Sequence, residues 1–286
     1  MKKKAKVVRK ISSIRNIVSE LRSQGGNATV GLVPTMGALH EGHLSLIKKS
    51  ASKNQITIVS IFVNPTQFND ANDFESYPDT FKEDKLLAEE SGADYIFAPS
   101  VEEMYPGDFY TFVDIEEIST KLCGSKRDGH FRGVCTVVSK LFNIVKPDYA
   151  YFGEKDIQQL TIIKKMVSDL NFDLKIVGCH TIREDDGLAM SSRNVHLSSD
   201  ERESAAYIYL GMKLAGDLFD SGEKSSDKLI KMAKDIIETD LTTIDYIEIV
   251  DPVTLKSVDQ VEKSAILAVA VFIGKTRLID NYLLKD

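Results

Sequence analysis

Val30-Gly31-Leu32-Val33-Pro34-Thr35-Met36-Gly37-Ala38-Leu39-His40-Glu41-Gly42-His43 decides the fold. An apolar run ends at a proline, a glycine follows, and two histidines then frame Glu41-Gly42. Leu44, Ile47 and Ala51 continue at helical spacing, so the stretch reads as strand, tight loop and helix start. That geometry aims backbone N–H groups and the positive end of a helix dipole beyond the strand, which suits a phosphate. Gly37 and Gly42 remove side chains where a ligand needs close approach to the backbone. His40 and His43 share one helix face if both lie on the first turn. Two imidazoles beside a phosphate can donate hydrogen bonds to the charge that builds there. One histidine at a helix start is usually a cap or a surface residue; a pair framing a glycine after a buried strand is a stronger signal.

On the N-terminal side, Ile11, Ile14, Ile17, Val18 and Leu21 form one helical stripe over 9–24, closed by Gly25-Gly26. On the other side, 56–63 is a near-continuous β-branched run, the mark of a strand buried on both faces of a parallel sheet. It ends in Asn64-Pro65-Thr66-Gln67-Phe68. A polar, acidic stretch through Tyr77-Pro78 leads to a helix near 79–91 and a strand over 94–98. The pattern predicts a strand over 110–115, a basic glycine-flanked loop over 124–130 and an apolar helix over 133–145. A buried strand over 149–152 ends at Gly153-Glu154-Lys155-Asp156, with a helix from about 156 to 169. A last strand over 173–179 precedes Arg183 to Gly187 and then Met190-Ser191-Ser192-Arg193-Asn194.

Strands alternating with helices imply a Rossmann-like α/β fold, a doubly wound parallel sheet with right-handed crossovers. Ligands bind such sheets beyond the carboxyl ends of the strands, where strand order reverses. Residues 36–43, 64–67, 153–156 and 190–193 all follow strand ends, and their shared placement outweighs any one motif. The texture changes near 185. We expect a Rossmann-like catalytic domain over 1–185 and a smaller α+β C-terminal lid domain over 186–286. The second has helices over 199–221 and 226–239, then alternating runs at 244–250, 264–273 and 277–284 that suit a small antiparallel sheet.

A chain of 286 residues that is 43% apolar can build a full core. Its net charge of −7 argues against duplex nucleic acid as a partner. No run approaches the roughly eighteen apolar residues of a membrane helix. The basic start Met1-Lys2-Lys3-Lys4 lacks the apolar region of a secretory signal, so a cytoplasmic chain with a solvated terminus is expected. Cys123, Cys135 and Cys179 lack metal-ligand spacing and read as free thiols of a reducing compartment.

Four segments together carry a resemblance. They are Pro34 to His43, Phe62-Val63-Asn64-Pro65-Thr66-Gln67-Phe68, Phe152-Gly153-Glu154-Lys155-Asp156-Ile157-Gln158-Gln159-Leu160, and Asp186-Gly187-Leu188-Ala189-Met190-Ser191-Ser192-Arg193-Asn194. With them the chain resembles the pantothenate synthetase family almost end to end. H-x-G-H alone marks only the wider nucleotidyltransferase superfamily, shared with class I aminoacyl-tRNA synthetases and cytidylyltransferases. The resemblance implies an ATP-dependent ligase working in two steps. Pantoate attacks the α-phosphate of Mg-ATP to give pantoyl adenylate and pyrophosphate; the β-alanine amine then displaces AMP.

The resemblance also implies roles. The ATP site would comprise Met36, Gly37, Ala38, Leu39, His40, Glu41, Gly42, His43, Gly153, Glu154, Lys155, Asp156, Ile182, Met190, Ser191, Ser192 and Arg193. Within it, His40 and His43 would bind phosphate oxygens, with His43 the catalytic donor, and Lys155 would face the α-phosphate. Ser191, Ser192 and Arg193 would clamp the leaving phosphates, and the Ile182 backbone would hold adenine. Gln67 and Gln159 would hold pantoate, Asn64 would fix that loop, and Arg127 and His130 would form a wall beside it. An amide orients a carboxylate without pairing its charge, which keeps it nucleophilic. Thr66 stands where the family leads one to expect Met or Leu. Mg²⁺ is implied, with its protein ligands unknown; Glu83 and Asp84 fall where a carboxylate could approach it, although acidic pairs on helices are mostly solvated. A homodimer is implied as well.

Plainer readings stay open here. Gln159, three after Asp156, suits a capping box; Lys155 between two acids suits a surface cluster; Ser191-Ser192 suits a turn. The alternative function is a nucleotidyltransferase acting on another small acceptor. A phosphorylated acceptor would call for basic residues where the chain offers Gln67 and Gln159. A non-enzymatic regulator has no need of His40, His43, Lys155 and Arg193 together.

Overall fold

The apolar, β-branched runs at 30–33 and 56–61 become the two central strands of a sheet: β2 (Val30–Thr35) and β3 (Ile56–Ile61), in register from Val30 opposite Ile56 to Thr35 opposite Ile61. All six residues of β3 are buried, as covering both faces of a parallel sheet requires. A computed structural model describes residues 4–23, 28–69, 74–75 and 77–285. Gly25-Gly26, residues 70–73 and 76 of the acidic stretch, and Met1-Lys2-Lys3 lie outside the described residues; Lys4 is exposed.

Four further strands complete the sheet: β1 (Lys6–Val8), β4 (Tyr95–Phe97), β5 (Tyr149–Gly153) and β6 (Lys175–Cys179). The order is β1-β4-β3-β2-β5-β6, and every pairing is parallel. From β2 the chain builds outward through β3 and β4 on one side, and through β5 and β6 on the other. The direction reverses between β2 and β5, which pair at Gly31–Tyr149 and Leu32–Ala150. That is the switch point at which such sheets bind ligands. The helices are α1 (Ile11–Ser23), α2 (Glu41–Lys53), α3 (Phe81–Glu90), α4 (Val101–Met104), α5 (His130–Val145) and α6 (Ile157–Asp169).

The chain packs as two compact units. One comprises Met1–Ser119, Arg127–Glu154 and Ile162–His180; the other comprises Thr120–Lys126, Lys155–Thr161 and Thr181–Asp286. In the second, α7 (Ser199–Asp220) and α8 (Ser226–Ile237) accompany an antiparallel sheet of β7 (Thr242–Val250), β8 (Ser264–Ile273) and β9 (Thr276–Lys285), in that order. Ser198 starts α7 with a capping box: Glu201 N–H donates to its hydroxyl, and Glu201 Oε2 accepts from its N–H. Ile208, Met212, Phe219, Leu229, Leu267 and Val269 lie in one buried apolar cluster.

Three local expectations are corrected. Residues 110–115 are not a strand; the Val113 N–H donates to the Thr136 hydroxyl of α5 at 3.0 Å instead of to a strand partner. The apolar helix begins at His130, not 133, straight after Gly129 in the left-handed region at φ 72. The helix after β2 begins at Glu41, so His40 is its cap and does not lie on the first turn with His43. The three cysteines are buried and unpaired, and burial pushes the Cys135 thiol up to about 12. Among the described residues, no helix is long and apolar enough to cross a membrane.

Candidate active site

The loop between β2 and α2 is shaped by two devices. The first is a reciprocal cap. Gly42 N–H donates to His40 Nδ1 at 3.2 Å, and His40 N–H donates to His43 Nδ1 at 3.4 Å. The cap satisfies backbone donors that a helix start otherwise leaves orphaned. The ring centroids lie 4.1 Å apart. An Nδ1 that accepts from a backbone N–H cannot carry a proton, so each neutral ring holds its proton on Nε2. Gly42 serves this packing: a Cβ there would meet His40 Cε1 at 2.8 Å.

The second device is Asp84 of α3, only 2% exposed. Its carboxylate accepts from Leu39 N–H at 2.7 Å, Ala38 N–H at 3.0 Å and the Thr80 hydroxyl at 3.0 Å. The expectation of a solvated acidic pair therefore fails for Asp84, while Glu83 is exposed. Gly37 has φ +93, and a Cβ there would come 2.9 Å from Asp84 Oδ2. Both glycines are thus explained by the loop's own packing as well as by room for a ligand.

After β3, Asn64 is 1% exposed and caps a short turn, Pro65–Gln67. Its Oδ1 accepts from the Tyr105 hydroxyl at 2.8 Å, the Thr66 hydroxyl at 2.9 Å and Thr66 N–H at 3.4 Å. Its Nδ2 donates to Gln67 Oε1 at 2.9 Å and to Gly133 O at 3.2 Å. Burial pushes the Tyr105 phenol above its ordinary range. These bonds fix the polarity of the Gln67 amide. With Oε1 occupied, Gln67 Nε2 donates to the Met36 sulfur at 3.3 Å, a weak acceptor that a carboxylate or hydroxyl oxygen would replace. His130 is buried against the same loop. Its Nδ1 meets Gln67 O at 2.7 Å and its Nε2 meets Arg127 Nη1 at 3.2 Å. A carbonyl only accepts and a guanidinium only donates, so Nδ1 carries the proton.

β5 ends at Gly153-Glu154, and Glu154 Oε2 lies 2.7 Å from His180 Nδ1. Lys155 and Asp156 complete a short turn, Glu154–Asp156, and Gln159 lies half-buried on the first turn of α6. Lys155 O accepts from Asn281 Nδ2 at 3.0 Å. Beyond β6, residues 182–190 form a hairpin. Met190 N–H donates to Ile182 O at 3.0 Å, Arg183 and Ala189 bridge, and Gly187 turns at φ 96. Ion pairs lock it. Arg202 reaches Glu184 and Asp186, both at 2.6 Å, and Arg183 reaches Asp280 at 2.6 Å. The hydrogen bond from Arg202 holds the Asp186 carboxyl below its ordinary range. Ser191 then caps a short turn, Ser192–His196, by accepting from Arg193 N–H at 3.2 Å, and the Arg193 side chain is exposed.

The expected residues divide between the units. Met36 to His43, Asn64, Gln67, Arg127, His130, Gly153 and Glu154 belong to the first; Lys155, Asp156, Gln159, Ile182 and Met190 to Arg193 belong to the second. Asp84, Tyr105, Arg183, Arg202, Asp280 and Asn281 were not singled out beforehand as supports. Among the described residues, no group of three or more His, Cys, Asp or Glu side chains is placed to hold a metal ion.

A doubly wound parallel sheet with imidazole-capped H-x-G-H at its switch point defines a Rossmann-like α/β protein with a loop built to take a ligand there. The sequence model described as pantoate–β-alanine ligase matches residues 6–283. The pantothenate synthetase of Caldicellulosiruptor saccharolyticus is 55% identical over 276 residues, 96% of this chain and 98% of that one. That of Thermotoga petrophila is 50% identical over 280 residues, 98% and 99% of the two chains. The crystal structure of pantothenate synthetase from Thermus thermophilus superposes with TM-score 0.91 at 38% identity, covering 98% of this chain and all (100%) of that one. A pantoate–β-alanine ligase from Francisella tularensis, complexed with β-γ ATP and β-alanine, gives TM-score 0.77 at 36% identity, with 98% and 97% coverage. The chain belongs to the pantoate–β-alanine ligase family, and it is a ligase that condenses pantoate with β-alanine.

Proposed function

We propose that the chain makes pantothenate through an enzyme-bound pantoyl adenylate. A pantoate carboxylate oxygen bonds to the α-phosphorus of ATP as the bridge to the β-phosphate breaks, releasing pyrophosphate. The β-alanine amine then bonds to the acyl carbon, loses a proton, and AMP leaves. Positioning and charge neutralisation suffice for such phosphoryl chemistry. His40 and His43 donate from Nε2 to phosphate oxygens. Lys155 neutralises charge at the α-phosphate, Ser191, Ser192 and Arg193 hold the departing phosphates, and the Ile182 backbone holds adenine. Gln67 and Gln159 orient pantoate, and Asn64, Arg127 and His130 support Gln67.

The observation that carries this reading is the paired cap: each imidazole commits Nδ1 to backbone and so keeps its proton on Nε2, the state a phosphate donor needs. Mg²⁺ would travel on the triphosphate. Both Asp84 oxygens already accept hydrogen bonds inside the protein. A cytoplasmic homodimer in which 186–286 closes as a lid over 1–185 completes the proposal. Small-angle scattering that shows no compaction with ATP and pantoate would refute the lid. The reaction itself is tested by pyrophosphate–ATP exchange, expected to require pantoate and not β-alanine. Exchange without pantoate, or none under any condition, would overturn the adenylate route.

A further inference from the structure

A continuous chain of hydrogen bonds in the second unit ties Lys155 to the hairpin that carries Ile182 and Met190. Its middle is Asp280-Asn281 of β9. Arg183 Nη1 and Nη2 donate to the two Asp280 oxygens at 2.6 and 3.1 Å. Arg183 Nη1 also donates to Gly187 O at 2.9 Å, across the turn of the hairpin, and its guanidinium lies 4.0 Å from the centre of the Tyr209 ring. The Asn281 N–H donates to Asp280 Oδ1 at 2.8 Å. Its side-chain Nδ2 donates to the carbonyl of Lys155 at 3.0 Å.

The Asp280 side chain is only 3% exposed. A carboxylate so buried is costly unless it is paired and its remaining lone pairs are occupied. Here a bidentate guanidinium and a backbone N–H satisfy it, an arrangement that is demanding in geometry. An apolar pair would serve packing equally well, so packing does not explain it. The two ends of the chain do. One is the backbone of Lys155, whose ammonium rides on a flexible stem and is directed only as well as its Cα is held. The other is the hairpin of the nucleotide loop.

We propose that Asp280 and Asn281 are positioning residues for adenylate formation: Asn281 anchors Lys155 by its carbonyl while Asp280, through Arg183, anchors the hairpin to the same strand. This rests on the assignment of Lys155 to the α-phosphate. Small displacements of a reacting group cost rate steeply, so the anchor acts on turnover more than on folding.

The test compares wild type, Asn281→Ala, Asn281→Asp, Lys155→Ala and the Lys155→Ala/Asn281→Ala double variant in pantoate-dependent pyrophosphate–ATP exchange. Thermal midpoints and KM values are measured alongside. Asn281→Asp keeps the shape and removes the donor. Both Asn281 variants are expected to lose about tenfold in exchange kcat, the scale of one hydrogen bond. KM for pantoate should stay within about twofold and the midpoint within a few degrees. In the double variant the second substitution should remove nothing further, because both act through one group. Lower midpoints with unchanged kcat, or an independent further loss in the double variant, would overturn the inference. Lys155→Ala at the wild-type rate would instead overturn the role of Lys155. An inactive Lys155→Ala beside fully active Asn281 variants would sink the anchor alone.

Discussion

The two loops assigned to the nucleotide are held by opposite means. Residues 36–43 are fixed through their backbone, by imidazole caps at the helix start and by the buried Asp84 carboxylate, which accepts two consecutive N–H groups. Residues 182–193 are fixed through side-chain charges: Arg183 of the hairpin reaches Asp280, and Arg202 reaches Glu184 and Asp186. Buried hydrogen bonds to backbone are short-ranged and little affected by salt, as is the buried Arg183–Asp280 pair; the half-exposed Arg202 pairs are screened. The first loop is therefore preorganised, and the second is latched and adjustable. Such a division suits the proposed adenylate route, in which the attacked phosphate is held still while pyrophosphate leaves.

The largest expected effects lie on the chemistry. His43→Ala and Lys155→Ala should each lower exchange turnover by about a hundredfold or more, as for loss of one transition-state donor. A near-normal rate in steady-state assays would refute the role of that residue. Next comes Asp84→Asn, which places an amide among three donors and leaves Ala38 or Leu39 N–H short of a buried acceptor. Each such loss costs about 1–3 kcal/mol. Turnover should fall about tenfold and the thermal midpoint should drop; if neither moves, the first loop is not the more rigid one.

How far these features were legible depends on their range along the chain. The sheet was readable because the β-branched runs at 30–33 and 56–61 and the aromatic run at 149–152 cannot be solvated; in the C-terminal sheet the expected alternation gives way in β8 to a run that is buried almost throughout. The edge strand Lys6–Val8 is too short for periodicity to register. The pattern at 110–115 suggested a strand, but the side chain of Thr136 supplies the partner. The site divides in the same way. The spacing of His40 and His43 suggested one helix face, whereas His40 caps the helix and the rings meet through that cap; Asn64 to Gln67 is local enough to suggest a fixed loop. Asp84 lies 45 residues from Leu39, and Arg183 lies 97 from Asp280. A single chain offers no spacing rule that joins such residues, so Asp84 read as one more solvated acid on a helix.

A smaller effect is expected at the latch. Arg202→Ala removes the charge partner of Glu184 and Asp186, which keep their bonds from Asn194 Nδ2 and Leu188 N–H, and so loosens the turn of the hairpin. KM for ATP should rise severalfold while KM for pantoate stays put. Adding salt should narrow the gap between variant and wild type, because screening weakens the wild-type latch and leaves the variant nothing to lose. A gap unchanged by salt would mean that the second loop is held like the first, and the contrast would fail.

The smallest effect is a matter of pH, and its sign follows from one group. The hydrogen bond from Arg202 holds the Asp186 carboxyl below its ordinary range. A carboxyl depressed in the folded state contributes stability that is fully present above its unfolded value, near 3.9, and is lost as pH falls through the folded value. The Asp186 side chain is 41% exposed, so solvent screens the pair and the contribution is small. Thermal midpoints of wild type and Arg202→Ala should therefore differ by a constant, modest amount above about pH 5 and converge below about pH 4. A difference that persisted at the lowest pH would mean that Arg202 acts through its aliphatic stem and packing; one that grew on acidification would reverse the assigned sign. Either result would remove charge as the means by which the second loop is held.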